Sequence, residues 1–216
     1  MDSPFPLLIT ATGLMIIPFL VVSLTAFVKI AVVLFLVRSA LGVQQTPPNL
    51  VLYGVTIVLT AYVMSPVMAA SVAAMTEGGT MTALPPPAEW AGLVQRGLEP
   101  VRDFLMRFTT PQDRAFFLTA AQEMHSATTV APAETDIFIL APAFVTAELT
   151  KAFEIGVMLY LPFIVVDLVI TNILTAMGMM MVSPMVISLP FKLLLFVAVD
   201  GWSRLTHGLV MSYVGI

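Results

Sequence analysis

Residues 39–76 read SALGVQQTPPNLVLYGVTIVLTAYVMSPVMAASVAAMT, and this stretch of 38 residues contains no charged side chain. A helix that crosses the hydrocarbon core of a bilayer needs about 20 predominantly apolar residues. A soluble domain offers no place for so long an uncharged segment, because most of a soluble surface has to be polar or charged. Residues 3–28 are also free of charge. Both stretches indicate helices that lie in a membrane.

The composition of the whole chain supports the same class. Apolar residues make up 59% of the 216 residues and charged residues 10%, whereas soluble domains have about 45–50% and about 25%. The absence of cysteine excludes disulfides and thiolate chemistry, and the net charge of −4 favours no polyanionic partner. We predict an all-α, polytopic membrane protein of kinked helical hairpins, with about four apolar helical segments and an inserted periplasmic amphipathic helical section.

The N-terminal part, residues 1–76, is predicted to be an apolar helical hairpin. Its first run, Leu7 to Val37, is interrupted by Pro18 and Lys29, and its second run spans about Leu50 to Met75. No basic residue begins the chain as in a signal peptide, so we expect the first run to be retained. Turn and helix-start residues connect the two runs: Gly42, Pro47, Pro48 and Asn49.

The polar section of the chain is residues 77–136, which we predict to be helical and periplasmic. Apolar residues recur in it at three- and four-residue steps, which indicates a helix with one buried face: Trp90, Leu93, Val94, Leu98, Val101, Leu105 and Phe108. Thr110, Pro111 and Asp113 are typical of a helix start. A second amphipathic helix is therefore expected over Pro111 to His125.

Positive charges predict the orientation. Lys29 and Arg38 precede the short loop of the first hairpin, and positive charge close to short loops tends to remain in the cytoplasm. We therefore expect this loop on the cytoplasmic side and residues 77–136 on the outside. The methionine-rich turn after the third run then lies on the cytoplasmic side, or buried at an equivalent depth.

The C-terminal part, residues 137–216, is predicted to be a second apolar hairpin with a methionine-rich loop. Its runs cover about Ile137 to Met177 and Met185 to Val199. A proline removes a backbone donor and kinks or breaks a helix, and six fall in the apolar runs of the chain: Pro18, Pro66, Pro142, Pro162, Pro184 and Pro190. Irregular backbone at membrane depth has to be covered by protein or by a water-filled cavity. We therefore expect the hairpins to pack into a larger assembly.

Charged residues inside the apolar runs are candidates for assembly contacts. Glu148, Lys151 and Glu154 share one helix face, where they form either an ion-paired contact between helices or a proton relay. Asp167 and Lys192 each stand alone in an apolar stretch. They can pair with each other if the two runs fold back, or between subunits, and we expect them to act in assembly. A charge that faces acyl chains costs at least a few kcal/mol, so all five have to face protein or water.

Residues 177–185, MGMMMVSPM, contain five methionines. Gly178 and Pro184 prevent a continuous helix, so the methionines between them are expected on a loop. Flexible, polarisable methionine side chains pack well against irregular or changing surfaces. They can fill gaps in a core, or close a pore if several copies surround an axis. A Cu(I) site is a weaker third alternative.

Four strings resemble the FliP/SctR family of flagellar and injectisome export-gate proteins: SLTAFVKIAVVLFLVRSALGVQQTPPN, APAFVTAELTKAFEIG, LPFIVVDLVITNILTAMGMMMVSP and ISLPFKLLLFVAVDGW. The resemblance runs from about Leu20 to Trp202 and is weakest over residues 77–135. The motif GVQQTPPN, with Gln44 and Gln45, looks more like the injectisome branch than the flagellar one.

This resemblance implies a subunit of the type III secretion export gate in the bacterial inner membrane, with much of the assembled protein on the periplasmic side. It implies a homo-oligomer, a pentamer, that assembles with SctS/FliQ-like and SctT/FliR-like subunits. SctU/FlhB-like and SctV/FlhA-like proteins would lie nearby, and unfolded secreted proteins would be transported through the assembly. The family's methionine gate corresponds to Met179, Met180 and Met181, with Met177 adjacent.

Other functions stay open at this point. A flagellar export-gate subunit, a proton or small-molecule transporter that uses Glu148, Lys151 and Asp167, and a purely structural membrane scaffold are the alternatives. The transporter would show inverted repeats with paired broken helices, and we identify none. We expect no enzyme and no cofactor, because no H-E-x-x-H, G-x-S-x-G or P-loop motif is present.

Overall fold

The computed structural model describes residues 15, 18–43, 45–76, 89–124, 131–179 and 181–214. Its principal elements are seven α-helices within these residues: α1 (Phe27–Leu41), α2 (Asn49–Thr76), α3 (Trp90–Phe108), α4 (Pro111–Met124), α5 (Ile137–Ala176), α6 (Pro184–Ala198) and α7 (Gly201–Met211). The described part of the chain contains no strand. The predicted all-α class is therefore confirmed, and the predicted helix bounds agree closely with those of α2 to α6.

The chain forms two compact units, and α2 and α5 each contribute to both. The first unit comprises residues 1–28 and 61–148. Its core lies where the C-terminal half of α3 meets the start of α5. The Phe104 ring lies 4.9 Å from that of Phe108 and 5.6 Å from that of Phe144 on α5, and the side chains of Leu105 and Leu140 are fully buried.

The second unit comprises residues 29–60 and 149–216. Helix α1 packs closely on α5 at Gly156, where an added Cβ would lie 2.3 Å from the Leu36 Cδ1 atom. Phe35 of α1 also contacts Tyr53 of α2, with 5.2 Å between the ring centroids. Helix α1 is therefore central to this unit, and most of its apolar side chains are buried.

Helices α2 and α5 are long and apolar enough to cross a membrane. Helices α6 and α7 meet at a bend of 60° and provide a third candidate span if they are taken together. The 40 residues of α5 correspond to a length of about 60 Å, which is about twice the thickness of the hydrocarbon core. The chain is thus a membrane protein with two or three candidate spans among its described residues.

The first apolar run lies partly outside the described residues, and the described remainder corrects one prediction. Pro18 and Lys29 both lie in helical segments, and the interruption falls at residues 24–26. There the Thr25 hydroxyl donates to the Val22 carbonyl (3.1 Å) and accepts from the Phe27 amide (3.4 Å). Threonine in this position caps a helix start, so α1 begins after it.

The prolines of the apolar runs are predicted to kink or break their helices. No break occurs at Pro66, Pro142, Pro162 or Pro190, because α2, α5 and α6 continue through them, and kinks at these positions stay a prediction. At Pro66 the structure provides the physical reason. A proline leaves the carbonyl four residues before it without its donor, and the Ser65 hydroxyl donates to that carbonyl, Tyr62 O, at 2.9 Å. The 60° bend instead lies between α6 and α7, where Asp200 adopts a left-handed backbone with φ of 52°.

Helices α3 and α4 confirm the predicted starts but only part of the predicted buried face. The Thr110 hydroxyl accepts from the Asp113 amide at 3.1 Å and caps α4, and Pro111 occupies its first position. Along α3, Leu105 and Phe108 are buried, while Trp90 and Val94 are exposed. In the first unit the C-terminal half of α3 packs on α5 through Phe104 and Phe144. The predicted end of α4 at His125 lies outside the described residues.

Candidate functional site

The methionine turn, residues 177–183, connects α5 to α6. Gly178 has a left-handed backbone with φ of 73°, its amide donates to Thr175 O at 3.0 Å, and the Met179 amide donates to Leu174 O at 3.0 Å. This pair of hydrogen bonds is a Schellman motif, which satisfies the last carbonyls of a helix and ends it. Helix α6 then begins at Pro184. Helix α5 thus ends just before Gly178 and α6 begins at Pro184, and the structural role assigned to these two residues stays a prediction.

The described methionine side chains of the turn are exposed in the chain. Met177 is 67% exposed, Met179 41% and Met181 102%, and Met180 lies outside the described residues. A methionine that fills a gap in a core is buried. These three side chains are exposed, so they do not fill a gap within the core of this chain. The turn therefore presents flexible apolar side chains outward from a well-defined helix end.

A buried ion pair holds α6 against α5. Lys192 Nζ lies 2.6 Å from Asp167 Oδ2, and the Lys192 side chain is only 5% exposed while that of Asp167 is 40% exposed. The sequence leaves open whether Asp167 and Lys192 pair within the chain or between subunits, and in the structure they pair within the chain. At about 1.5 Å per residue, Asp167 lies about 15 Å along the helix axis from the start of the methionine turn.

Two further hydrogen bonds complete the surroundings of the ion pair. The Ser188 hydroxyl donates to Asp167 Oδ1 at 2.6 Å, and Lys192 Nζ donates to the Ala40 carbonyl at 3.3 Å. Ala40 lies in the last turn of α1, where carbonyls have no partner within the helix and a cation is favoured. The Lys192 ammonium thus links α1, α5 and α6, and we name Asp167, Ser188, Lys192 and Ala40 the three-helix clamp.

The loop between α1 and α2 lies beside this clamp. Gly42 adopts φ of 75°, and an added Cβ there would lie 3.9 Å from Lys192 Nζ. The Arg38 guanidinium donates to the carbonyl of Pro47 and to Asn49 Oδ1, so Arg38 stabilises the loop. Asn49 begins α2, and the Pro48 carbonyl accepts the first amides of that helix. The predicted turn and helix-start residues lie in this loop, their assigned role stays a prediction, and Gln44 lies outside the described residues.

The other charged triplet lies on α5. Glu148 is fully buried, Lys151 is half-buried and Glu154 is exposed. The spacing predicts one shared face for all three, whereas in the structure the side chains become more exposed from Glu148 to Glu154. Steps of three residues rotate around a helix of 3.6 residues per turn, and Ala152 and Gly156, which lie below Glu148 on its own face, stay buried. The assembly role assigned to the triplet stays a prediction. Among the described residues, no three His, Asp or Glu side chains are grouped so that they could hold a metal ion.

Sequence reasoning missed two groups. Lys29 is predicted to interrupt the first run and to indicate orientation, but not to have a partner. In the structure it is buried, and its Nζ lies 3.6 Å from the centre of the Tyr213 ring. Ser188 was not considered because a serine in an apolar helix carries no distinctive signal. A lysine inside an apolar run does carry one, since a charge there has to find a partner. Lys29 could therefore have been flagged together with Lys192.

Comparisons with known proteins identify the family. The FliP family matches residues 9–209. The chain is 50% identical over 211 residues to Yop proteins translocation protein R of Yersinia pestis, covering 97% of this chain and 96% of that protein. It is 40% identical over 213 residues to virulence protein YscR of Salmonella typhimurium, covering 98% of each. Flagellar biosynthetic protein FliP of Cereibacter sphaeroides is 44% identical over 204 residues, which are 94% of this chain and 65% of that protein. The predicted resemblance is confirmed, and the chain belongs to the FliP family.

Proposed function

We propose that this chain is a core subunit of the type III secretion export gate, and that methionine turns from several copies close a protein-conducting pore across the bacterial inner membrane. The family and the names of its relatives make it a component of a protein-export apparatus. The observation that carries the pore proposal is the exposed methionine turn, whose described side chains contact little else in the chain.

The geometry of the turn supports such a closure. A gate that admits an unfolded chain has to adapt to side chains of different size, and methionine adapts better than branched apolar residues. The Schellman motif and the three-helix clamp hold the helices on both sides of the turn. Flexible side chains on a fixed backbone can therefore move apart for a substrate and return without unfolding of the hairpin.

An exposed acid on α5 supports an oligomer. Glu154 lies near the middle of this candidate span and is exposed in the chain, where contact with acyl chains would cost at least a few kcal/mol. Another subunit that covers Glu154 removes this cost. We propose a homo-oligomer, a pentamer, that also contacts SctS/FliQ-like and SctT/FliR-like subunits, with SctU/FlhB-like and SctV/FlhA-like proteins nearby and residues 77–136 on the periplasmic side.

The injectisome is favoured over the flagellum as the setting. The chain covers 96% of the Yersinia pestis translocation protein and 98% of virulence protein YscR, but only 65% of the flagellar protein of Cereibacter sphaeroides. A proton transporter is not favoured by the geometry, since Asp167 is ion-paired to Lys192 whereas a relay requires an acid that changes its protonation state readily.

The test replaces Met179, Met180 and Met181 with alanine in the complete secretion apparatus. We expect the apparatus to assemble and the membrane to become more permeable to small ions, because shorter side chains no longer meet on the axis. A matched control replaces Met68, Met158 and Met211, which are also exposed but lie within helices rather than in the turn. Unchanged conductance in the first variant, with normal assembly, would contradict the gate and leave a scaffold as the function.

A further inference from the structure

An apolar groove in the second unit has one charged residue in its lining. Its volume is about 420 Å³, within the range of sites that bind small molecules. Side chains from α1, α5, α6 and α7 form its wall, including Val37, Leu159, Leu195 and Phe196. Arg204 is the charged member, and among the described residues it forms no ion pair.

Two features at the start of α7, where the groove ends, favour an anion. The Asp200 side chain makes no capping hydrogen bond, so it leaves the first amides of α7 without a side-chain acceptor, and such amides attract anions. Arg204 follows one turn later on the same helix, where its side chain is exposed. The Asp200 carboxylate is also exposed there and opposes an anion, although it does not pair with Arg204.

The same end of the groove has the features of a membrane interface. Helix α6 is apolar, and the chain bends by 60° into α7, which carries Ser203, Arg204 and His207. Trp202 is partly exposed, and its ring packs edge-on against Phe196 with 5.3 Å between centroids. Tryptophan and arginine are enriched where acyl chains meet headgroups. The bend is therefore placed where the phosphate of a lipid headgroup would lie, and the apolar groove along α6 could hold an acyl chain of the same lipid.

We propose that this groove binds an anionic glycerophospholipid, with an acyl chain between α5 and α6 and the phosphate at Arg204 and the start of α7. Basic groups next to apolar clefts between membrane helices recognise anionic lipid headgroups in this way. The proposal is independent of the methionine gate. A helix from another copy of the chain would also fill an apolar groove, but it would not by itself provide an anion for Arg204.

The experiment measures lipid binding to the full chain in detergent by native mass spectrometry. Phosphatidylglycerol and phosphatidylcholine with identical acyl chains are titrated in parallel. We expect the chain to bind phosphatidylglycerol more tightly. Arg204→Gln should weaken phosphatidylglycerol binding about five-fold and leave phosphatidylcholine binding unchanged. Asp200→Asn should strengthen phosphatidylglycerol binding, because asparagine keeps the left-handed backbone and removes the opposing charge.

A second pair of variants tests the acyl chain. Gly208 lines the groove, and a Cβ added there would have no atom within 4 Å, so Gly208→Leu should fill the groove and weaken the binding of both lipids. Gly54 on α2 has equally open surroundings and does not line the groove. Gly54→Leu is therefore the control and should bind both lipids like the unaltered chain.

Three results would overturn the proposal. The first is equal binding of the two lipids by the unaltered chain, and the second is unchanged phosphatidylglycerol binding in Arg204→Gln. The third is a dimer or larger oligomer that dissociates in Gly208→Leu while lipid binding is unaffected, since a second copy of the chain would then occupy the groove.

Discussion

Lys192 is the residue on which the arrangement of three helices depends. Its ammonium is almost fully buried between a carboxylate and the last turn of α1. A buried charge that loses its partner destabilises a protein by about 3–5 kcal/mol. The two members of the pair are not equivalent, because Asp167 is partly exposed and retains the hydrogen bond from Ser188. The consequences of removing one or the other should therefore differ.

We expect Asp167→Ala to lower the free energy of unfolding by about 3 kcal/mol, because it leaves the buried ammonium with only the Ala40 carbonyl. Lys192→Met should cost less, about 1–2 kcal/mol, since the remaining carboxylate reaches solvent and Ser188. Tryptophan fluorescence during unfolding in detergent measures both. The double variant Asp167→Lys with Lys192→Asp should recover only part of the loss, because its carboxylate would face the Ala40 carbonyl. No recovery would contradict direct pairing.

At the scale of elements, the junction of α6 and α7 depends on a residue without a side chain. An added Cβ at Gly201 would lie 2.3 to 2.6 Å from three atoms of the Phe196 ring. That ring is buried and packs against Phe163 and Trp202, so it cannot move aside freely. Together with the left-handed Asp200, Gly201 allows the chain to bend by 60° into α7 while its backbone lies close to the Phe196 ring.

Two glycines of α7 should respond in opposite directions to alanine. Gly201→Ala is expected to destabilise the chain by about 1–3 kcal/mol through overpacking against Phe196. Gly208→Ala should stabilise it by about 0.5–1 kcal/mol, because its surroundings are open and alanine favours a helix more than glycine. Thermal unfolding of both variants in the same detergent checks this. Equal shifts in the same direction would show that the Phe196 contact does not limit the junction.

At the scale of the whole molecule, the exposed surface of the chain combines large apolar areas with isolated charged side chains. The most apolar window of α5 is only 11% buried within the chain, yet that helix carries the exposed Glu154. Lipid can cover the apolar side chains, but it covers a carboxylate poorly. Assembly with other subunits satisfies both requirements at once.

We therefore expect Glu154→Lys to reduce the amount of assembled apparatus recovered from membranes by affinity purification. The unfolding temperature of the isolated chain should change little, because Glu154 is exposed in it. Glu123→Lys is the control, since Glu123 is also exposed but lies on α4, which is not a candidate membrane span. A Glu154→Lys variant that assembles as well as this control would argue that position 154 faces water rather than another subunit.

Much of the candidate site follows from short stretches of sequence. The end of α5 at Gly178, the start of α6 at Pro184 and the cap of α4 at Thr110 are set by backbone conformation and by hydrogen bonds between near neighbours. Such interactions involve residues a few positions apart, so the sequence shows all of their participants. The apolar composition identifies the membrane class for the same reason, because it does not depend on which residues meet.

The sequence alone determines the membrane class, the bounds of most helices and the methionine turn. It also indicates that Asp167 and Lys192 need partners. The packing of the helices was required to show that these two pair within the chain, that Ala40 completes the clamp, and that the bend lies at Asp200 rather than at Pro190. It was also required to show that Lys29 meets Tyr213 and that a groove ends at Arg204. These features join residues far apart in the chain, and no local pattern specifies which distant residues will meet.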